Sequence, residues 1–193
     1  GYADRGWRWL PVAEDYGGQG MGGIGLACTW EIFSGANDAL RMVTGRVAGA
    51  VRVLLEYGSE DQKAAYIPKL ASGEWLSTMC LTEPGAGSDL SRVRTRAARN
   101  GDGWQINGEK IFISGGDQDL SDGIFHLVLA RTGDADSGVK GLSLFACLSD
   151  LPDGGRNAIT VTRIEEKMGL HASPTCQMAF DGAKAELIGD EGA

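Results

Sequence analysis

Residues 81–90 read LTEPGAGSDL and follow an apolar run from Leu76 to Leu81. The order of residue types is that of a strand handing over to a shaped loop. Pro84 fixes one backbone angle, and Gly85 and Gly87 let main-chain amides face outward with no Cβ in the way. Thr82 and Ser88 add hydroxyls. Such a loop holds an anion or the polar edge of a ring through neutral hydrogen bonds. A plain β-turn loop accounts for the same residues, and these positions alone do not choose between the two.

Downstream, GEKIFISGG occupies 108–116. Strand alternation puts Lys110, Phe112 and Ser114 on one face and Ile111 and Ile113 on the other. An exposed aromatic beside a hydroxyl, close to the first loop, would stack on a flat cofactor. Phe112 as an ordinary core residue is the competing reading. Strand signals recur at 75–82, 93–99, 104–106, 109–114, 124–131, 142–148, 159–165, 175–181 and 185–188. Asn100-Gly101 and Asn107-Gly108 are tight-turn signals, and GDADSGVKG at 133–141 reads as a polar hairpin loop. No long helical pattern intervenes, so an antiparallel β-barrel or sandwich is expected from residue 75 onward.

Upstream of Gly73 the period changes. Ile24, Ala27, Cys28 and Ile32 share one face of a helix expected over 23–33. Leu40, Val43, Val47, Ala50, Val51 and Leu54 form the buried stripe of a second helix, from 37 or 38 to 57. Gly58 supplies its end, and Ser59 with Gln62 is a capping box for a third helix to about Leu70, which Pro68 should weaken or end. The class is therefore α+β. Gly18, Gly20 and Gly23 fit the GxGxxG dinucleotide pattern, but PVAEDY before them is no apolar strand and no parallel strand follows the helix. They read as a flexible loop.

Composition narrows the function. The net charge is −8 with no basic face, which argues against a nucleic-acid partner but leaves room for a polyanionic substrate held by local Arg and Lys. The four cysteines, Cys28, Cys80, Cys147 and Cys176, form no CxxC pair, so reduced and mostly buried thiols are expected rather than a zinc site or disulfides. No apolar run reaches the roughly 18 residues of a membrane span. Ser88 lies in GAGSD, not GxSxG, so no hydrolytic triad is expected. His126, inside IFHLVLA, reads as a structural histidine, and His171 has no assigned role. The chain starts at Gly1 and ends at Ala193 with no closing element, so it reads as an internal piece of a longer protein.

Together these segments resemble the acyl-CoA dehydrogenase family. LTEPGAGSDL at 81–90 is similar to its flavin-loop signature, and INGEKIFISGG at 106–116 to its second, where the family usually has Trp-Ile-Thr. YGSEDQKAAYIPKLASGEW at 57–75, PVAEDYGGQGMG at 11–22 and the segment 165–193 resemble the flanking parts. Residues 115–131 with EEKMGLHASPTC resemble the larger, methylmercaptopropionyl-CoA dehydrogenase-like branch.

The resemblance implies a partial N-terminal helical domain over 1–74 and a middle flavin-binding β-barrel domain over 75–193. It implies FAD as cofactor, acyl-CoA as substrate, electron-transfer flavoprotein as acceptor, a homo-oligomer, and a cytoplasmic location, with the mitochondrial matrix left open. Leu81 and Thr82 would face the flavin ring, Gly87 and Ser88 the pyrophosphate, and Phe112, Ile113 and Ser114 would flank the ring. Phe112 departs from the usual Trp, and Met79 stands where a Tyr is often found. The family's base is a glutamate in a C-terminal helical domain that would begin after Ala193, while Glu83 belongs to the loop signature. The 193-residue chain alone is accordingly expected not to desaturate acyl-CoA. An acyl-CoA oxidase or flavin monooxygenase of the same fold, or a non-catalytic fragment, are the alternatives.

Overall fold

The apolar stripe between 40 and 54 buries as its spacing requires: Val43, Val47, Ala50, Val51 and Leu54 are all in the core. In the computed structural model, which describes residues 6, 7 and 9–192, two helices carry it rather than one. The outermost residues of the expected segments, 1–5 and 193, lie outside the described residues. Helix α1 (Gly23–Thr44) runs through the break expected near 33–37. Only Asn37 leaves helical geometry there (φ −162°, ψ 90°), and its Oδ1 accepts from the Leu40 amide at 3.0 Å, restarting the helix as an N-cap does. The true interruption comes at Gly45 and Arg46, before α2 (Val47–Tyr57). Both residues stay in the right-handed helical region, so the stripe keeps its phase across the break. Periodicity therefore gives no sign of it.

Two further helix expectations are corrected. The face of Ile24, Ala27, Cys28 and Ile32 is not buried: Ile24 is 86% and Ile32 71% exposed, and Cys28 is the exposed thiol while the other three are buried. Helix α3 (Glu60–Ser72) starts with the expected capping box but does not stop at Pro68. Ala64, whose carbonyl loses its helical donor there, is exposed, so the lost bond leaves no buried acceptor. Gly73, at φ 84°, then closes the helix.

Seven strands follow: β1 (Trp75–Cys80), β2 (Arg96–Asn100), β3 (Gly103–Ser114), β4 (Gly123–Arg131), β5 (Leu142–Leu148), β6 (Ile159–Ile164) and β7 (Thr175–Ile188). The architecture is helices plus a mixed sheet, in place of the antiparallel barrel expected. Strand β1 runs parallel to β4, from Trp75 opposite Gly123 to Cys80 opposite Val128, and β2 meets β4 in parallel at Arg96 and Arg131. The other pairings (β2–β3, β3–β7, β4–β5, β5–β7, β6–β7) are antiparallel. The expectation rested on the absence of crossover helices. Here the β2–β3 hairpin lies between β1 and its parallel partner, and does the work of a crossover.

Asn100-Gly101 turns β2 into β3 as read from sequence, but Asn107-Gly108 is no turn. Strand β3 runs straight through it, with a register shift against β7 between Ile106 and Asn107. The extra residue on the partner strand is Gly182, at φ 74°, whose amide donates to Asn107 Oδ1 at 2.8 Å. Gly108 is needed for close approach: a Cβ there would sit 2.6 Å from Thr95 Oγ1. The two strand pairs expected at 104–114 and 175–188 are thus two continuous, bulged strands.

Strand β4 is buried on both faces. Phe125 and Leu127 pack with Val51, Leu54, Ile67 and Leu70 of the helices, while Val128 and Ala130 join Ile106, Ile113, Phe145 and Met178 in a second core. Gln62 ties the helices to the sheet. Its Oε1 accepts from the Ser59 amide, and its Nε2 donates to the Leu187 carbonyl at 2.9 Å. Gln62→Ala removes both bonds and should cost about 1–3 kcal/mol. Thermal or denaturant unfolding measures this, and a wild-type midpoint would show that the link carries no weight.

Candidate functional site

The loop after β1 is held by a buried ion pair. Lys110 is 0% and Glu83 6% exposed, and Lys110 Nζ donates to Glu83 Oε1 at 2.8 Å and to the Leu81 carbonyl at 3.0 Å. The Glu83 carboxylate also accepts from the amides of Arg94 (2.7 Å) and Thr95 (3.0 Å). Glu83 and Ala86 exchange main-chain bonds across the Pro84-Gly85 turn, and the Ile111 amide donates to the Thr82 carbonyl at 2.9 Å. Burial pushes the Glu83 carboxyl up, but its bonds from Lys110, Thr95 and Arg94 outweigh this and hold it below the usual carboxylate value. Burial holds the Lys110 ammonium below its usual value despite Glu83.

The alternation expected across 110–114 breaks at Phe112. Register against β7 shifts between Lys110 and Ile113, and Phe112 adopts φ +60°. For a bulky side chain this conformation costs on the order of 1–3 kcal/mol. The added residue turns Lys110 and Ile113 inward together and leaves Phe112 outward, 60% exposed. Lys110 therefore does not share a face with Phe112, contrary to the sequence expectation.

The sequence-predicted site residues fall into three positions. The Thr82 carbonyl accepts from the Ile111 amide, directly before Phe112, and the Leu81 carbonyl accepts from Lys110 Nζ. Ser114 closes β3 opposite Thr175. Gly87 and Ser88 lie in the exposed part of the loop. Ile113 is 2% exposed within the second core, so its side chain does not reach a ligand. Met79, 46% exposed on β1, adds apolar surface. Among the described residues nothing bonds the hydroxyls of Thr82, Ser88 or Ser114, and a Cβ at Gly85 or Gly87 would meet nothing within 4 Å. An outward aromatic, unsatisfied hydroxyls and open backbone fit a large flat ring with a polar edge, as a flavin has.

His126 is the structural histidine expected. It is buried, its Nδ1 lies 2.7 Å from Thr78 Oγ1, and burial pushes its pKa down to about 3, so the ring is neutral. Sequence reading missed the anchoring role of Glu83 and Lys110. The available signal was an acid inside a glycine loop together with a lysine inside an apolar strand. Lys110→Met leaves Glu83 buried without its counter-charge and should cost about 3–5 kcal/mol, with part of that loss recovered in Glu83→Gln/Lys110→Met. Denaturant unfolding of the single and double variants checks this, and a double variant as unstable as the sum would contradict the pairing.

Comparison with known proteins places this geometry in a family. Residues 78–183 match the acyl-CoA dehydrogenase middle domain and residues 1–74 the acyl-CoA dehydrogenase N-terminal domain. The chain is 44% identical to 3-methylmercaptopropionyl-CoA dehydrogenase of Ruegeria pomeroyi, over 98% of this chain and 33% of that protein. It is 42% identical to a broad-specificity linear acyl-CoA dehydrogenase of Mycobacterium tuberculosis, over 97% of this chain and 32% of that one. It thus spans about a third of the length of these relatives. An acyl-CoA dehydrogenase structure from Geobacillus kaustophilus superposes with a TM-score of 0.85 at 32% identity, covering 99% of this chain and 49% of the other. With both domain types matched and the fold shared, the chain belongs to the acyl-CoA dehydrogenase family of flavoprotein oxidoreductases.

Proposed function

We propose that the loop at 81–90 and the β3 bulge form the flavin platform of an FAD-dependent enzyme that desaturates an acyl-CoA thioester between Cα and Cβ. The observation that carries this reading is Phe112, held outward at positive φ next to Thr82, whose hydroxyl no described protein group takes. An exposed aromatic face beside a hydroxyl gives a flat ring a stacking surface and a polar partner.

In this reading Thr82 bonds the pyrimidine edge of the flavin, and Leu81 and Phe112 cover the ring. Ser114, with the main chain of Ile113, bonds its polar rim, and Gly87 and Ser88 receive the pyrophosphate. The reaction removes a proton from Cα and a hydride from Cβ, and the flavin when bound supplies the hydride acceptor. Phe112 and Met79 keep water from the ring, and the bond from Thr82 fixes its orientation. Glu83 is no candidate base, because Lys110 and two amides already occupy its carboxylate. We assign the base to a part of the protein outside these 193 residues, consistent with relatives about three times as long. The longer enzyme, divided here at 74/75, would act in the cytoplasm as a homo-oligomer and pass electrons to an electron-transfer flavoprotein.

Thr82→Val in the flavin-loaded enzyme tests the platform. Losing a hydroxyl bonded to a neutral ligand atom should weaken FAD retention by about 0.5–1.5 kcal/mol and shift the flavin absorbance. Unchanged spectrum, affinity and enoyl-CoA formation would make the loop purely structural. Turnover coupled to oxygen uptake in place of acceptor reduction would favour an oxidase or monooxygenase.

A further inference from the structure

The apolar stripe that α1 and α2 turn to the sheet contains one arginine. Arg46 follows Val43 by three residues and precedes Ala50 by four, and it stays in helical dihedral space, so it shares their sheet-facing side. Its Nε is enclosed and has no hydrogen-bond partner. Among the described residues no carboxylate pairs with it. Burial, with the like charge of Arg41, holds its guanidinium below the usual arginine pKa, and Arg41 itself is engaged by Asp38.

Strand β1 supplies the other side of this interface. Trp75 packs on Tyr66 of α3, with ring centres 6.1 Å apart, and strand alternation carries Ser77 and Met79 to the same side. The register agrees: Ser77 and Met79 lie beside Phe125 and Leu127 of β4, which pack on the helices. Ser77 is 3% exposed, and its Oγ is also enclosed without a partner. Among the described residues only three side-chain polar atoms are orphaned in this way, the third being Ser173 Oγ, so two of the three belong to the interface of helices and β1. Arg46 stands level with the end of β1: burial pushes the Cys80 thiol up to about 11, and the positive charges of Lys110 and Arg46 work against that rise. Met79, half-exposed beside Cys80, opens the interface to the surface next to the flavin loop.

An enclosed donor without an acceptor is costly, and an enclosed guanidinium without a counter-charge more so. A neutral acceptor would satisfy the hydrogen bond and leave the charge. A carboxylate satisfies both, and it accepts from the Ser77 hydroxyl as well. An extended chain rises about 3.3 Å per residue, so Ser77 lies roughly 13 Å from Leu81 along β1, within reach of the far end of an acyl chain. We propose that Arg46 and Ser77 make the enzyme select acyl-CoA substrates whose acyl chain ends in a second carboxylate. This deepens the acyl-CoA desaturation reading and rests on it.

The test gives the flavin-loaded enzyme plain acyl-CoA esters and ω-carboxyacyl-CoA esters of matched chain length. Values of kcat and KM are measured, and the change in flavin absorbance on ester binding is a second readout. Arg46→Met, Arg46→Lys and Ser77→Ala are compared with the wild type, with Arg52→Met, at an exposed position of α2, as the control. At one chain length or more the wild type should prefer the carboxylated ester. Arg46→Met should lower that preference roughly ten- to a hundredfold, through a raised KM for the carboxylated ester alone. Arg46→Lys keeps the charge without the planar fork and should retain part of the preference, and Ser77→Ala should lose a smaller part. Melting curves check folding; should Arg46→Met not fold, Arg46→Lys and Ser77→Ala carry the same comparison. A wild type that prefers the plain ester at every length overturns the proposal. So does a preference that survives in Arg46→Met, or an equal loss for both ester classes. In each of these cases turnover of plain esters leaves the desaturation reading standing, whereas an enzyme that holds FAD and desaturates neither class removes both.

Discussion

The buried pair of Lys110 and Glu83 is the constraint on which the site depends. Taking both charges from water costs several kcal/mol per ion, and the structure offsets this with the 2.8 Å pair and three further contacts: two amides on Glu83 and the Leu81 carbonyl on Lys110. Those contacts bind the end of β1, the residues leading into β2 and the middle of β3 at one point. An apolar replacement of similar volume could match its stability, but not its power to specify one loop conformation. With the Leu81 and Thr82 carbonyls committed to Lys110 and Ile111, the side chain of Thr82 and the amides of the glycine turn are what remain for a ligand.

The strained Phe112 follows from the same anchor. Lys110 must point inward to reach Glu83, and Ile113 must point inward to fill the second core. Two inward residues three positions apart cannot both lie on one face of a regular strand. The bulge at Phe112 reconciles them, and the aromatic is left outward as a result. Core packing and an exposed aromatic are in this sense one feature.

Much of this was legible in the sequence where the signal is local. The capping box at Ser59 and Gln62, the stripe from Val43 to Leu54, the turn at Asn100-Gly101 and the buried His126 all behave as their residues dictate. The misses are of other kinds. Gly45 and Arg46 break a helix while staying in helical dihedral space, so the apolar phase runs on. Asn107-Gly108 has turn chemistry but serves a bulge, because Gly182 across the sheet absorbs the extra residue. The parallel pairing of β1 with β4 is a non-local choice that no short window encodes. At the site, the loop hydroxyls were visible in the sequence, Phe112 stood between an exposed and a core reading, and the inward turn of Lys110 could not be read.

The most direct test of the flavin platform is an NMR titration of the isotopically labelled protein with FAD, following backbone amides. The account predicts that shifts concentrate at Thr82, Gly85, Gly87 and Ser88 in the loop and at Ile111 to Ser114 in β3, with the amides of α1 unmoved. Shifts concentrated on the glycines at 18–23 ahead of α1, or none at the loop under saturating FAD, would contradict it.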